Sequence, residues 1–108
     1  MRIHQDVLLS SMMLLCPKDT VIVLPATTRY ESPGVGTETS TERRIIFSPE
    51  ITGRRIGSSK PEWEVFSEVA ARLLPELADK VRFTSSQGIR DEIGKTVPLY
   101  AGIERVSK

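Results

Sequence analysis

The sequence predicts an α/β fold made of a strand–helix–strand unit, a long polar loop and a helical second half. Residues 20–24 (TVIVL) form an unbroken apolar run that is rich in β-branched residues and ends at Pro25, which is typical of a strand. Residues 25–57 are rich in Thr, Ser, Gly, Pro and Arg, which is typical of a loop. After Pro61, apolar residues recur at the spacing of an amphipathic helix.

The first half reads as one parallel βαβ step. Residues 2–5 predict a short strand that ends at Asp6, and the apolar residues 7–15 are compatible with a brief helix. A turn is expected at residues 16–19, before the second strand at 20–24. Because that strand is apolar throughout, we expect it to be covered on both faces, as strands of parallel sheets usually are. Two strands do not complete such a sheet, so further strands are expected beside them.

The long loop is predicted to contain one extended segment, residues 44–47 (RIIF). Loops of this length inside a compact domain are usually functional or pack against another structure. Its glycines, hydroxyl side chains and the pair Arg43 and Arg44 would suit a phosphate-bearing ligand. The alternative is an ordinary surface loop whose arginines pair with Glu38 and Glu42, and the chemistry alone favours this alternative. Arg54 and Arg55 extend the local cluster of positive charge.

Helical signals dominate the second half. Pro61 suits the first turn of a helix, Pro75 ends or kinks that helix, and residues 77–81 extend it by a turn or two. Residues 84–87 have the spacing of a capping box and begin a further helix that Pro98 ends. The apolar face of the first of these helices is predicted to consist of Trp63, Phe66, Val69, Ala70, Leu73 and Leu74.

Composition excludes several classes of function. Fifteen basic and 14 acidic residues leave a net charge of +1, so no overall charge predicts binding to nucleic acid or to an anionic membrane. The single cysteine, Cys16, and the single histidine, His4, cannot supply the roughly four ligands of a zinc or iron–sulfur site. His4 is expected to be a structural histidine with satisfied hydrogen bonds. The apolar residues 7–15 are far shorter than the roughly 20 needed to span a bilayer, and we expect a cytoplasmic protein.

Two acidic residues have both a functional and a structural interpretation. Asp6 follows a predicted strand, where acids often accept hydrogen bonds from a nucleotide, but it could equally cap the segment that begins at Val7. On pattern alone, the capping role of Asp6 is favoured. Glu62 lies in the first turn of a predicted helix, where the helix dipole favours a negative charge, and Trp63 beside it is most simply a core residue. No nucleophile accompanies the lone histidine, so no catalytic residue is assigned.

An ordered series of short motifs carries a resemblance to a known family. The residues are LP at 24–25, Glu31, GT at 36–37 and TERR at 41–44. This order resembles a signature of the oxidoreductases that bind two molybdopterin guanine dinucleotides.

The series continues on both sides of that signature. IHQD at 3–6, GSSKPEW at 57–63, SQGIRDE at 86–92 and PLYAG at 98–102 resemble the formate-dehydrogenase-like alpha subunits of bacteria. The resemblance covers nearly the whole chain.

The resemblance implies a cofactor and residues that contact it. Members of the family hold molybdenum or tungsten between two molybdopterin guanine dinucleotides, and many carry an iron–sulfur cluster. Gln5, Asp6, Ser32 and Glu62 match positions that contact a guanine dinucleotide, although the family usually has Asp in place of Glu62. The arginine pair at 43–44 is expected to hold the loop against neighbouring domains.

The resemblance also implies an incomplete enzyme. Residues 1–57 would be the end of a Rossmann-like cofactor-binding domain, and residues 58–108 a helical connection toward a C-terminal barrel domain. The sequence has no cysteine cluster, no segment with the cysteine or selenocysteine that binds the metal, and no barrel. We therefore expect a fragment that is not catalytic alone, with the remaining domains as its partners and a small substrate such as formate. The alternative is a small non-enzymatic interaction module derived from such an enzyme.

Overall fold

A parallel pair of strands opens the chain, as the sequence predicts. The computed structural model describes residues 1–14, 18–51, 53 and 56–106. Strands β1 (Arg2–Asp6) and β2 (Val21–Pro25) pair in parallel, with Ile3 opposite Ile22. The α/β fold class is confirmed, and this parallel pair followed by helices is consistent with a piece of a Rossmann-like domain. Cys16, Arg54 and Arg55 lie outside the described residues, as does part of the turn predicted at 16–19.

The helix predicted between the two strands is shorter than expected. It is confined to a 3₁₀ turn at Ser11–Leu14. The Asp6 carboxylate accepts hydrogen bonds from the backbone N–H groups of Val7 at 2.7 Å and Leu8 at 3.3 Å. Because these N–H groups are satisfied by a side chain, the chain bends there instead of beginning a helix.

The parallel pair is only partly covered by the rest of the described chain. Ile22 and Val23 on β2 are each 40% exposed, and Ile3 on β1 is 59% exposed. The prediction that β2 is covered on both faces is therefore wrong for the described residues. The physical reason is that a two-stranded sheet with one short helical turn has too little neighbouring structure to bury both of its faces.

The polar loop contains a hairpin of which the sequence predicts only one strand. Strand β4 (Ile45–Ser48) confirms the extended segment expected at 44–47, and it pairs antiparallel with β3 (Gly36–Thr39). The reading of β3 as loop was wrong. Its sequence, GTET, offers no apolar alternation, and cross-strand hydrogen bonding rather than burial defines it. Arg43 lies in the connecting turn with φ = 61°.

Three α-helices follow, at the positions that the sequence predicts. They are α1 (Glu62–Leu73), α2 (Ala78–Val81) and α3 (Ser86–Thr96), and Pro61 directly precedes α1. Short 3₁₀ turns occur at Pro75–Leu77, Pro98–Tyr100 and Ile103–Arg105. Among the residues that the structure describes, no helix is long and apolar enough to cross a membrane.

The predicted apolar face of α1 does not form a core in this chain. Phe66 is 69% exposed and Leu73 is 75% exposed, whereas Ser67 and Ala71 are buried. The described part of the chain buries only three hydrophobic residues almost completely, namely Met13, Ala71 and Ile103. The helical periodicity was read correctly, but the surface that it should face is absent from the described structure.

The residue that caps α3 is one position later than the capping box predicts. The Ser85 hydroxyl accepts a hydrogen bond from the N–H of Gly88 at 3.2 Å, whereas the side chain of Thr84 makes no such contact. Replacing an N-cap serine with alanine usually costs about 1 kcal/mol. We therefore expect Ser85→Ala to lower the stability of α3 by about that amount, and Thr84→Ala to leave it nearly unchanged.

Amide hydrogen exchange across α3, together with helix content from circular dichroism, measures this difference. The two variants remove a hydroxyl from neighbouring positions, so each serves as the control for the other. Equal effects, or a larger effect of Thr84→Ala, would restore Thr84 as the cap.

Candidate functional site

The carboxyl end of β2 is joined directly to the start of α1. The carbonyl oxygen of Pro25 accepts a hydrogen bond from the N–H of Lys60 at 3.1 Å, and Thr27 donates its N–H to the carbonyl of Lys60 at 3.1 Å. Ala26 and Lys60 thereby form a parallel bridge. Ligands of parallel α/β sheets bind beyond the carboxyl ends of the strands, which is the region where this bridge places Glu62.

A cleft of about 460 Å³ opens beside this bridge, between the loop after β2 and the first turns of α1 and α3. We call it the α1–α3 cleft. Pockets for small ligands usually measure roughly 300–1,000 Å³, so it is large enough for part of a nucleotide. The residues of the cleft that matter for its chemistry are Thr27, Arg29, Ser32, Glu62, Trp63 and Arg90.

Ser32, one of the predicted cofactor-contacting residues, lines the cleft and is only 6% exposed. Its hydroxyl accepts a hydrogen bond from the indole Nε1 of Trp63 at 3.3 Å and shares another with the hydroxyl of Ser86 at 3.1 Å. Trp63 is half-buried, so it anchors the cleft wall rather than a closed core. Ser32 therefore joins the loop to the beginnings of both α1 and α3.

Glu62, a second predicted contact residue, lines the same cleft but is exposed. It is the first residue of α1, where the free N–H groups of the helix attract negative charge. An exposed carboxylate at the cleft rim can accept hydrogen bonds from the N–H or O–H groups of a ligand. The structure thus brings Ser32 and Glu62 together, although 30 positions separate them in the sequence.

Gln5 and Asp6 lie at the end of β1 and do not line the α1–α3 cleft. The carbonyl oxygen of Asp6 accepts a hydrogen bond from the N–H of Ala26 at 3.0 Å, which connects this end of β1 to the bridge beside the cleft. The Asp6 side chain caps a bend rather than a helix. The side-chain nitrogen of Gln5 is buried without a hydrogen-bond partner in the described structure.

The sequence analysis missed Arg90, which is the most buried charged residue described. It lines the cleft from α3, is 3% exposed, and donates hydrogen bonds to the carbonyl oxygens of Gly34 at 2.8 Å and Val35 at 3.2 Å. Gly34 and Val35 both have positive φ, at 78° and 63°. The sequence does contain a signal for this burial, because Arg90 lies between Ile89 and Ile93 on an otherwise apolar face of α3.

The arginines of the hairpin turn do not form the ion pairs expected of a surface loop. Glu38 pairs with Arg29 instead. Arg43 and Arg44 are exposed, and neither forms an ion pair with another described residue. Glu38 lies in β3, where its carboxylate contacts Arg29 and not the arginines of the turn. The contact of Arg43 and Arg44 with neighbouring domains, which the resemblance implies, stays a prediction.

The described residues contain no metal-binding cluster. No group of three or more His, Cys, Asp or Glu side chains is arranged to hold a metal ion among them. The expectation of a fully satisfied His4 was wrong, because its Nε2 is buried without a hydrogen-bond partner in the described structure. Among the described residues β1 pairs only with β2, and no other strand beside it offers a partner for this nitrogen.

Comparison with known proteins relates the chain to formate dehydrogenases. It is 37% identical over 82 residues to proteins described as "putative formate dehydrogenase" from Staphylococcus aureus strains MRSA252, USA300 and NCTC 8325. The alignment covers 76% of this chain but only 8% of each relative. No family model matches the chain. No solved structure matches it either. The similarity supports a formate-dehydrogenase-like relationship.

The side chain of Lys60 holds the start of α1 beside the cleft through ion pairs with Glu64 and Glu68, and we call these contacts the ion-pair clamp. The Nζ of Lys60 lies 3.2 Å from a Glu64 carboxylate oxygen and also hydrogen bonds to Glu68. The hydrogen bond from Lys60 lowers the pKa of Glu68 below its ordinary value of 4.5. A pKa that is lower in the folded state contributes stability above about pH 4.5, and that contribution is lost as the pH falls through the folded-state value.

We therefore expect Glu68→Gln to flatten the acid side of the stability profile. As the pH falls below about 4.5, the melting temperature of the wild-type chain should fall more steeply than that of the variant. Glu76→Gln is the matched control, because Glu76 is exposed and forms no ion pair with a described residue. Parallel profiles for the wild-type chain and Glu68→Gln would contradict the clamp.

Proposed function

We propose that this chain forms part of the binding site for molybdopterin guanine dinucleotide in a formate-dehydrogenase-like oxidoreductase. The observation that carries the proposal is the meeting of Ser32 and Glu62 in one cleft beyond the carboxyl end of β2. Both residues match positions that contact a guanine dinucleotide in the family that the sequence resembles, although 30 positions separate them in the chain. The similarity to proteins described as formate dehydrogenases supports the same assignment.

The residues of the cleft fit one nucleotide portion of that cofactor. Glu62 offers a carboxylate acceptor, Arg29 offers guanidinium donors, and Trp63 offers an aromatic surface. The volume of about 460 Å³ suits a nucleotide portion rather than an entire molybdopterin guanine dinucleotide. In this proposal Gln5 and Asp6, at the end of β1, contact another portion of the cofactor.

The chemistry of the proposed enzyme is assigned to other segments. When bound, the cofactor supplies the molybdenum or tungsten ion that oxidises or reduces a small substrate such as formate. Because the described residues hold no set of three potential metal ligands, we assign this chain neither a metal ligand nor a catalytic residue. The iron–sulfur cluster would be bound elsewhere. The role left to this chain is to bind and orient one part of the cofactor.

The remaining domains of such an enzyme are the proposed partners of the chain. Ile3 and Ile22 on the sheet and Phe66 and Leu73 on α1 are large apolar residues left exposed. Contiguous apolar surface usually marks a contact with other protein. A non-enzymatic interaction module would use the same surfaces, so the two proposals differ only in whether the cleft binds a nucleotide.

Titration of the ¹⁵N-labelled chain with guanosine diphosphate (GDP) tests the proposal by NMR. We expect the largest shift changes at Ser32 and Glu62, with smaller ones at Gln5 and Asp6. Glu62→Gln should weaken binding about tenfold, because a hydrogen bond to a charged group contributes roughly 1.5–3 kcal/mol. The matched control is Glu76→Gln, which carries the same change on an exposed residue outside the cleft.

A well-dispersed spectrum that does not respond to GDP would contradict the proposal and favour the interaction module. Equal weakening by Glu62→Gln and Glu76→Gln would contradict a specific contact at Glu62, because the loss of a surface carboxylate does not by itself weaken the binding of an anion such as GDP.

A further inference from the structure

Arg90 is a buried cation without an acidic partner. Its guanidinium group donates hydrogen bonds to the carbonyl oxygens of Gly34 and Val35 and to the side-chain oxygen of Gln87. All three acceptors are neutral. Its Nε is buried and has no partner in the described structure. These contacts satisfy much of its hydrogen-bonding capacity, but they leave its charge uncompensated.

Such an arrangement is unusual, because buried charges in proteins are normally paired. Within the described part of the chain, no carboxylate lies within 4.0 Å of the Arg90 guanidinium group. Asp91 acts on it at longer range, and its carboxylate accepts a hydrogen bond from Gln87 at 2.8 Å. Burial lowers the pKa of Arg90, yet an arginine remains protonated at neutral pH.

The walls of the α1–α3 cleft add further positive potential near this charge. Arg29 lines the cleft but is paired with Glu38, so the added potential comes from the N-terminal turns of α1 and α3, helices of 12 and 11 residues that also line the cleft. Helix N-termini favour negative charge. Glu62 is the only acidic residue among the described residues that line the cleft, and it is exposed to solvent. Water screens its carboxylate more strongly than it screens the buried Arg90.

We propose that the α1–α3 cleft contains an anion subsite in which the phosphoryl groups of a nucleotide bind beside Arg90. The identity of the ligand as a nucleotide rests on the proposed function, whereas the preference for an anion rests on Arg90 and its surroundings. In this subsite Arg90 has two roles: its hydrogen bonds position the 34–35 backbone, and its charge attracts the ligand.

Calorimetric titration with GDP, uncharged guanosine and inorganic pyrophosphate separates the two contributions. We expect the wild-type chain to bind GDP at least about tenfold more tightly than guanosine, as one charge-assisted interaction provides. Arg90→Gln removes the charge, and its shorter side chain gives up part of the hydrogen bonding to the loop. It should weaken GDP binding more than guanosine binding and so lose most of the preference for GDP.

Arg90→Lys is the matched variant that keeps the charge, and it should retain the preference for GDP over guanosine. If Arg90→Gln fails to fold, Arg90→Lys still tests the proposal through its dependence on salt. Added sodium chloride should weaken the binding of GDP to Arg90→Lys and leave the binding of guanosine unchanged. Equal affinity of the wild-type chain for GDP and guanosine would overturn the anion subsite, and so would equal weakening of both ligands by Arg90→Gln.

The outcomes distinguish this inference from the proposed function. If guanosine binds and GDP binds no more tightly, the anion subsite fails while the nucleotide cleft stands. If pyrophosphate binds and depends on the charge of Arg90 while guanosine does not bind, the anion subsite stands and the nucleotide function fails. If none of the three ligands binds a folded chain, both fail.

Discussion

Arg90 and Ser32 make the hydrogen bonds on which the arrangement of the two halves depends. Arg90 holds the carbonyl oxygens of Gly34 and Val35, and Ser32 holds the indole of Trp63. Since only three hydrophobic residues are deeply buried in the described part of the chain, apolar packing contributes little to this junction. Hydrogen bonds depend on direction as well as distance, so these few contacts place the loop against α1 and α3 within narrow limits. The walls of the cleft follow from that placement.

A second connection, at Lys60, explains why the cleft lies where it does. The bridge between Ala26 and Lys60 closes the chain between β2 and α1 into a loop, and the β3–β4 hairpin lies inside that loop. The backbone therefore returns to the carboxyl end of β2 just before α1 begins. Lys60 also bonds to Glu68 in the second turn of α1, which fixes the direction of that helix. Glu62 is carried to the cleft rim by these backbone contacts and not by any contact of its own side chain.

The elements that could be predicted from the sequence are those with local signals. The apolar run of β2 and the prolines before α1 and after α3 mark those elements without reference to distant residues. Strand β3 was missed because pairing with β4, and not its own composition, makes it a strand. The expected burial of β2 and of the apolar face of α1 failed for a related reason, since burial requires a partner surface that a sequence pattern cannot supply.

Ser32 and Glu62 could be predicted only from the resemblance, because a serine after a glutamate and a glutamate in a first helical turn have ordinary structural explanations. Arg90 acquires its meaning only from carbonyl groups that are more than 50 positions away.

The two resemblance-derived residues of the cleft have different physical roles. The Ser32 hydroxyl already accepts a hydrogen bond from Trp63 and shares one with Ser86, so little of its bonding capacity remains for a ligand. Its substitution would move Trp63 and the start of α3 and would therefore disturb the cleft whether or not a ligand is bound. Glu62 is exposed and receives no hydrogen bond to its side chain from another described residue, so its substitution leaves the cleft walls in place. An effect at Glu62 therefore reports contact with a ligand, whereas an effect at Ser32 combines ligand contact with the shape of the site. Like Ser32, Arg90 holds the walls of the cleft through hydrogen bonds, and like Glu62 it carries a charge that a ligand can sense. Only a substitution that changes the charge or the hydrogen bonds of Arg90, but not both, can separate these two roles.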